Sequence, residues 1–171
     1  MANQFEEISP LKLKDNAFKL IGTDWMLITA GTPKSFNMMT ASWGGLGVLW
    51  DRNVSWCFIR PIRHTYGFIE RNEFYTFSFF EEKFRSVLDF CGEHSGRSMD
   101  KVAKTGITPV EGIHETVFFD EARLVITCKK LYTHALDKNN FIDHGIIQKF
   151  YRGGNLHRMY IGEVISCLLK K

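Results

Sequence analysis

The chain has 171 residues, 44% hydrophobic and 24% charged, with a net charge of +3. That length suits one domain covering residues 1–171, with a core that needs neither disulfide nor metal. Scattered charge of this size gives no reason to expect a nucleic acid partner, and no apolar stretch approaches the roughly 18 residues of a membrane span.

Met1 to Ile8 shows no basic region followed by an apolar run, so no signal peptide is expected and the predicted compartment is the cytoplasm. Asn16 to Ala30 ends in the apolar run Trp25 to Ile28, followed by Gly31, Thr32 and Pro33, a strand and a turn. Asn37 to Trp50 mixes small and aromatic residues and closes in the polar turn Asp51-Arg52-Asn53. Val54, Trp56 and Phe58 alternate with Ser55 and Cys57, the period of a strand. Pro61 ends that strand, and Ile62, Tyr66 and Ile69 fall at helical spacing with Pro61 suited to the first turn. Phe74 to Phe80 is an aromatic strand. Phe84, Val87, Leu88 and Cys91 mark an amphipathic helix that Gly92 would stop. A short helix is predicted over Met99 to Lys104, with strands over Val117 to Phe119 and Leu124 to Tyr132. Asp143 suits the cap of a helix through Tyr151, ended by Gly153 and Gly154, before a last strand from Met159 to Leu169.

Strands therefore dominate, without regular helical crossovers. The predicted class is mainly β with short helices, an antiparallel barrel rather than a Rossmann sheet. No Gly-x-Gly-x-x-Gly is present. The 15 phenylalanines point to an aromatic core. Cys57, Cys91, Cys128 and Cys167 are too dispersed for a zinc or dithiol motif and read as buried free thiols. The six histidines lack metal-ligand spacing, so no metal is expected.

Three segments are candidates for chemistry. Arg60-Pro61-Ile62-Arg63-His64-Thr65 joins a strand to a helix start, where free backbone N–H groups, Arg63 and Thr65 suit a phosphate. The same residues also read as a plain corner with a solvated arginine. Ser95-Gly96-Arg97-Ser98-Met99-Asp100-Lys101 combines a glycine with polar donors, although Asp100 also suits a helix cap. Asn37-Met38-Met39-Thr40-Ala41-Ser42-Trp43-Gly44-Gly45 is uncharged and suits either a flat ligand or ordinary packing around Trp43. No set of side chains forms a nucleophilic or acid–base constellation, as expected where a cofactor carries the chemistry.

In this order and spacing the segments resemble the flavin reductase-like family that includes flavoredoxin. Phe68-Ile69-Glu70, Phe74 to Phe80, Cys91-Gly92 and the closing His157 to Val164 take part in the resemblance, which runs from about Phe18 to the C-terminus. It implies an FMN-binding split barrel, a homodimer with flavin near the subunit interface. It implies hydride or electron transfer through FMN, with NADH or NADPH as donor, as a flavin reductase or flavoredoxin-like oxidoreductase. A non-enzymatic electron carrier or flavin-storage module is the alternative, and a related barrel holding haem is a third. By position, Arg63 and Thr65 would hold the phosphate, with Arg60, Pro61 and His64 in the same corner. Thr40, Ala41, Ser42 and Trp43, with Asn37 and Met39, would line the ring or ribityl chain. Ser95, Gly96, Arg97 and Lys101 would complete the polar contacts around a loop shaped by Asp100. Ser98 departs from the acidic residue of many relatives.

Overall fold

The computed structural model describes residues 4–171. Ten strands are found among them: β1 (Phe5–Glu7), β2 (Met26–Thr32), β3 (Ser35–Ala41), β4 (Gly44–Leu49), β5 (Arg52–Ile59), β6 (Phe74–Phe79), β7 (Pro109–Glu111), β8 (Val117–Phe119), β9 (Leu124–Ala135) and β10 (Arg158–Lys170). Five short α-helices lie between them: α1 (Ala17–Lys19), α2 (His64–Arg71), α3 (Arg85–Glu93), α4 (Lys101–Thr105) and α5 (His144–Phe150). The main sheet runs β3-β2-β6-β9-β10-β5-β4, with β1 pairing the far end of β10. All its pairings are antiparallel, and the two-stranded β7-β8 ribbon stands apart. This is a split β-barrel: the strand pattern predicts the antiparallel barrel, and the resemblance implies its split form.

Alternation along each strand sorts side chains into two cores. Met26, Ile28 and Ala30 of β2 join Tyr75, Phe77 and Phe79 of β6 and Leu124, Ile126 and Cys128 of β9 in one cluster. Leu27 and Val125 face the other way, into a second cluster with Val87, Leu88 and Cys91 of α3 and Phe118 and Phe119 of β8. Both faces of the central strands are thus covered, which explains their near-continuous apolar runs. The strand β10 binds them into one body. It pairs β9 along most of its length, β5 over Arg158 to Glu163, and β1 at Leu168 to Lys170.

Several boundaries differ from the sequence reading. Residues before Trp25 are helical rather than extended, because Asn16 caps α1 and a π-helical turn follows over Leu20–Asp24. Gly31 and Thr32 belong to β2, and the turn lies at Pro33 and Lys34. The next turn is Trp50-Asp51, both with positive φ, while Arg52 and Asn53 already pair in β5. Arg60 O accepts from Arg63 N–H, so a turn precedes α2 and Pro61 is not in the helix. Gly92 does not stop α3, which runs on to Glu93. Asp100 and Asp143 cap α4 and α5 as expected. All four cysteines are free and buried.

Candidate functional site

β3 forms the floor of the site. The α2 start and the α3–α4 loop close on it because α2 and α3 both pack against β3. A first cleft of about 630 Å³ lies between Asn37 and Met38 of β3 and the Gly96 to Val102 segment. A second, of about 310 Å³, is lined by Met39 to Trp43, Phe58, Arg60, Ile62, Arg63 and His157. A third of about 250 Å³ shares Thr40, Ala41, Ser42 and Arg63 with the second and adds Trp25, Asp89 and Glu93. Arg97 Nη1 donates to Ile62 O at 2.7 Å, tying the first cleft to the second.

The structure brings together all three candidate segments. Asn37 is buried and donates through Nδ2 to Thr65 Oγ1 at 2.6 Å and to Met38 O at 3.1 Å. Thr65 is fully buried, so its hydroxyl braces Asn37 from behind the lining. A Cβ on Gly96 would collide with Asn37 Oδ1 and stand 3.2 Å from His64 Cδ2, so only glycine lets the loop seat here. Ser95 Oγ accepts from Arg97 N–H at 3.2 Å and shapes the same loop. Thr40 Oγ1 donates to Leu88 O at 2.5 Å, while Ala41 and Ser42 line the second and third clefts. Pro61 is exposed in the turn and lines neither of the first two clefts. Arg60 lines the second cleft, and its Nη2 donates to Phe150 O at 3.0 Å. Trp43, 40% exposed, packs edge-on against Phe150 with centroids 5.3 Å apart.

Arg63, Arg97 and Lys101 converge here, with Asp100 lining the first cleft and Asp89 and Glu93 the third. Arg63 caps α2 in position and donates through Nη2 to Gly92 O at 2.7 Å. Lys101 is 4% exposed, and its Nζ donates to Met38 O at 2.9 Å and Cys91 O at 2.8 Å. Neither they nor Arg60 and Arg97 make an ion pair among the described residues. Burial, then Arg60, lowers the Arg63 guanidinium, and burial pushes Lys101 down to about 8. His64 is lowered by burial and then by Arg97, Lys101 and Arg71. Cations whose hydrogen-bond partners are all neutral carbonyls, one buried (Lys101), one half-buried (Arg63) and one exposed (Arg97), form a donor set suited to an anion.

Ile62 of the first candidate segment also lines the second cleft, and Phe58 and His157 are lining residues that the sequence did not single out as site residues. Their signal is tertiary: β10 pairs Met159 with Phe58, which sets His157 beside the end of β5. Among the described residues no cluster of His, Cys, Asp or Glu could hold a metal. No helix among them is long and apolar enough to cross a membrane.

Comparison with known proteins agrees with this geometry. The model of the flavin reductase like domain matches residues 18–171. No curated protein matches in sequence. The FMN-binding domain of a flavin reductases-like enzyme from Shewanella baltica OS155 superposes with a TM-score of 0.70 at 18% identity, over 98% of this chain and 78% of that one. Flavoredoxin of Desulfovibrio vulgaris (Miyazaki F) gives 0.68 at 22% identity, over 96% and 77%. An NADH:FAD oxidoreductase of Streptomyces globisporus C-1027 gives 0.62 at 15% identity, over 86% and 81%. With a match over all but its first 17 residues and a barrel of the same build, the chain belongs to the flavin reductase-like family.

Proposed function

We propose that the chain binds FMN and serves as an NAD(P)H-dependent flavin reductase or flavoredoxin-like oxidoreductase, working as a homodimer. The observation that carries this reading is the set of Arg63, Arg97 and Lys101, none of them in an ion pair among the described residues, beside the uncharged Thr40 to Trp43 wall. The donor set fits a phosphate, and the wall fits a flat apolar ring. Arg63, Arg97 and Lys101 would hold the phosphate, while Thr40, Ala41, Ser42 and Trp43 would line the ring. Asn37, Thr65 and Gly96 would keep the two halves in register. When bound, FMN supplies hydride and electron transfer, chemistry that no side-chain constellation here provides. The names of the Shewanella and Streptomyces proteins, with FMN in one and NADH in the other, support the choice of cofactor and donor. Self-association is supported by β4, an end strand of the sheet with Val48 72% and the adjoining Trp50 55% exposed.

Titration of the protein with FMN and with riboflavin tests the reading. Two or more charge-assisted bonds to the phosphate should make FMN bind at least roughly tenfold more tightly. Equal affinities would remove the phosphate from the site. A milder change is expected of Gly96→Ala. Asn37 Oδ1 belongs to a side chain pinned by two hydrogen bonds, so the added methyl displaces the loop. Overpacking of this kind costs about 1 kcal/mol or more, so FMN affinity should fall roughly fivefold. An undiminished affinity in Gly96→Ala would mean that the loop does not touch the ligand.

A further inference from the structure

Helix α5 touches the second cleft only at its C-terminal end. Most of His144–Phe150 is exposed, but Phe150 meets Trp43, and the Arg60 guanidinium lies 5.6 Å over the Tyr151 ring. Tyr151 is 7% exposed, with its hydroxyl 2.8 Å from His157 Nδ1. The His157 ring lies 5.0 Å from that of Trp43 and lines the cleft.

This contact decides where a proton sits. A buried phenol O–H needs an acceptor, and among the described residues His157 Nδ1 is the partner of the Tyr151 hydroxyl. Were Nδ1–H the donor instead, the phenol proton would be left without a partner. Burial, then Arg60, holds His157 down to about 4, so the ring is neutral near pH 7. A neutral imidazole that accepts at Nδ1 carries its proton on Nε2. The buried side-chain atoms without partners are Thr29 Oγ1, Ser78 Oγ and Arg85 Nη1, among the described residues. His157 Nε2 is not one of them and makes no bond to protein, so it is open to the cleft.

We infer that Tyr151 is a positioning residue that locks His157 as an Nε2–H donor in the second cleft, where it receives a carbonyl oxygen of a planar ring. The ring's identity rests on the FMN reading, since such a carbonyl belongs both to the flavin and to the nicotinamide carboxamide. The position of the proton does not rest on it.

Nitrogen-15 NMR of histidine-labelled protein tests the first half, with His157→Gln to assign the signals. Wild type should show a protonated Nε2 and a bare Nδ1 from about pH 5.5 to about pH 8, and Tyr151→Phe should show mixed tautomers. A protonated Nδ1 in wild type, or a tautomer unmoved in Tyr151→Phe, overturns the proposal. For the second half, the probes are FMN alone and NAD+ added to FMN-loaded protein. Tyr151→Phe should weaken one of them roughly twofold to tenfold: mixed tautomers alone about halve the competent fraction, and a ring freed to turn loses up to the worth of one hydrogen bond. Loss of FMN affinity identifies the flavin carbonyl, and loss confined to NAD+ identifies the carboxamide. His157→Gln keeps an N–H, should retain part of the affinity and should make Tyr151→Phe silent. No change for either probe overturns the ring assignment. A wild type that binds no FMN sinks the functional reading, while the nitrogen shifts still decide the proton.

Discussion

Arg63→Ala is expected to weaken FMN binding at least roughly tenfold and to leave the barrel folded. Arg63 stands at the junction of the second and third clefts, near enough to Lys101 that its charge helps to lower the lysine. One guanidinium nitrogen is engaged by Gly92 O, and the others are left for a ligand. At the start of α2 no side chain caps the first backbone N–H groups. Net hydrogen bonds to charged groups contribute about 1.5–3 kcal/mol, and about 1.4 kcal/mol is one decade in affinity. The barrel should survive because Arg63 belongs to neither apolar cluster. Arg63→Lys should recover part of the loss, keeping charge without the planar fork. FMN titration together with circular dichroism decides the matter. Unchanged affinity with a native spectrum would move the phosphate to the Ser95 to Lys101 loop alone.

The sequence made the long strands legible because their side chains alternate between two cores, or fill both. Val117 to Phe119 was bounded correctly, and the stretches 54–58, 74–80, 124–132 and 159–169 fall on β5, β6, β9 and β10 with shifts at their ends. β1 was invisible, since three residues carry no period and the strand exists through its pairing with β10. Gly92 misled because a glycine after an apolar helical stripe usually marks a stop. Here it lies where α3 crosses β3, and a Cβ would already meet Thr40 Cβ at 3.4 Å. Pro61 misled in the same manner: its ring suits a first turn, but the Arg60–Arg63 hydrogen bond places a separate turn there. Of the site, the three segments were readable as chemistry, and the structure joins them along β3. Which of their groups face the cleft was not readable. Asn37 and Thr65 look alike as ligand donors in sequence, but they bond to each other across 28 positions. His157 faces the cleft only because β10 pairs β5.

The affinity for FMN should fall roughly tenfold between pH 7 and pH 9, and Lys101 is the reason. Its ammonium is almost wholly withdrawn from water and holds two neutral carbonyls, Met38 O and Cys91 O. Burial is the main cause that brings it down to about 8, with Arg63 adding to the shift and Cys91 opposing it. The sign follows from that direction. Below pH 8 the folded protein carries a charge it solvates poorly, a cost to stability that fades as the pH rises from about 8 toward the ordinary lysine value. A bound phosphate relieves that cost and favours the charged form. Above pH 8 the free protein must take up a proton to bind, so affinity falls by about one decade per pH unit. Phosphate is fully ionised across this window, its second pKa being about 6, so the ligand itself contributes no slope. Riboflavin, lacking the phosphate, should show no such dependence. Lys101→Met should bind FMN weakly at pH 7 and flatten the profile. Because the substitution takes a donor from Cys91 O and leaves Met38 O with Asn37 Nδ2, thermal unfolding belongs beside the titration, with a loss of about 1–3 kcal/mol as the upper range. A wild-type profile that stays flat from pH 7 to pH 9 would remove Lys101 from the phosphate's contacts and leave it a structural strut between β3 and α3.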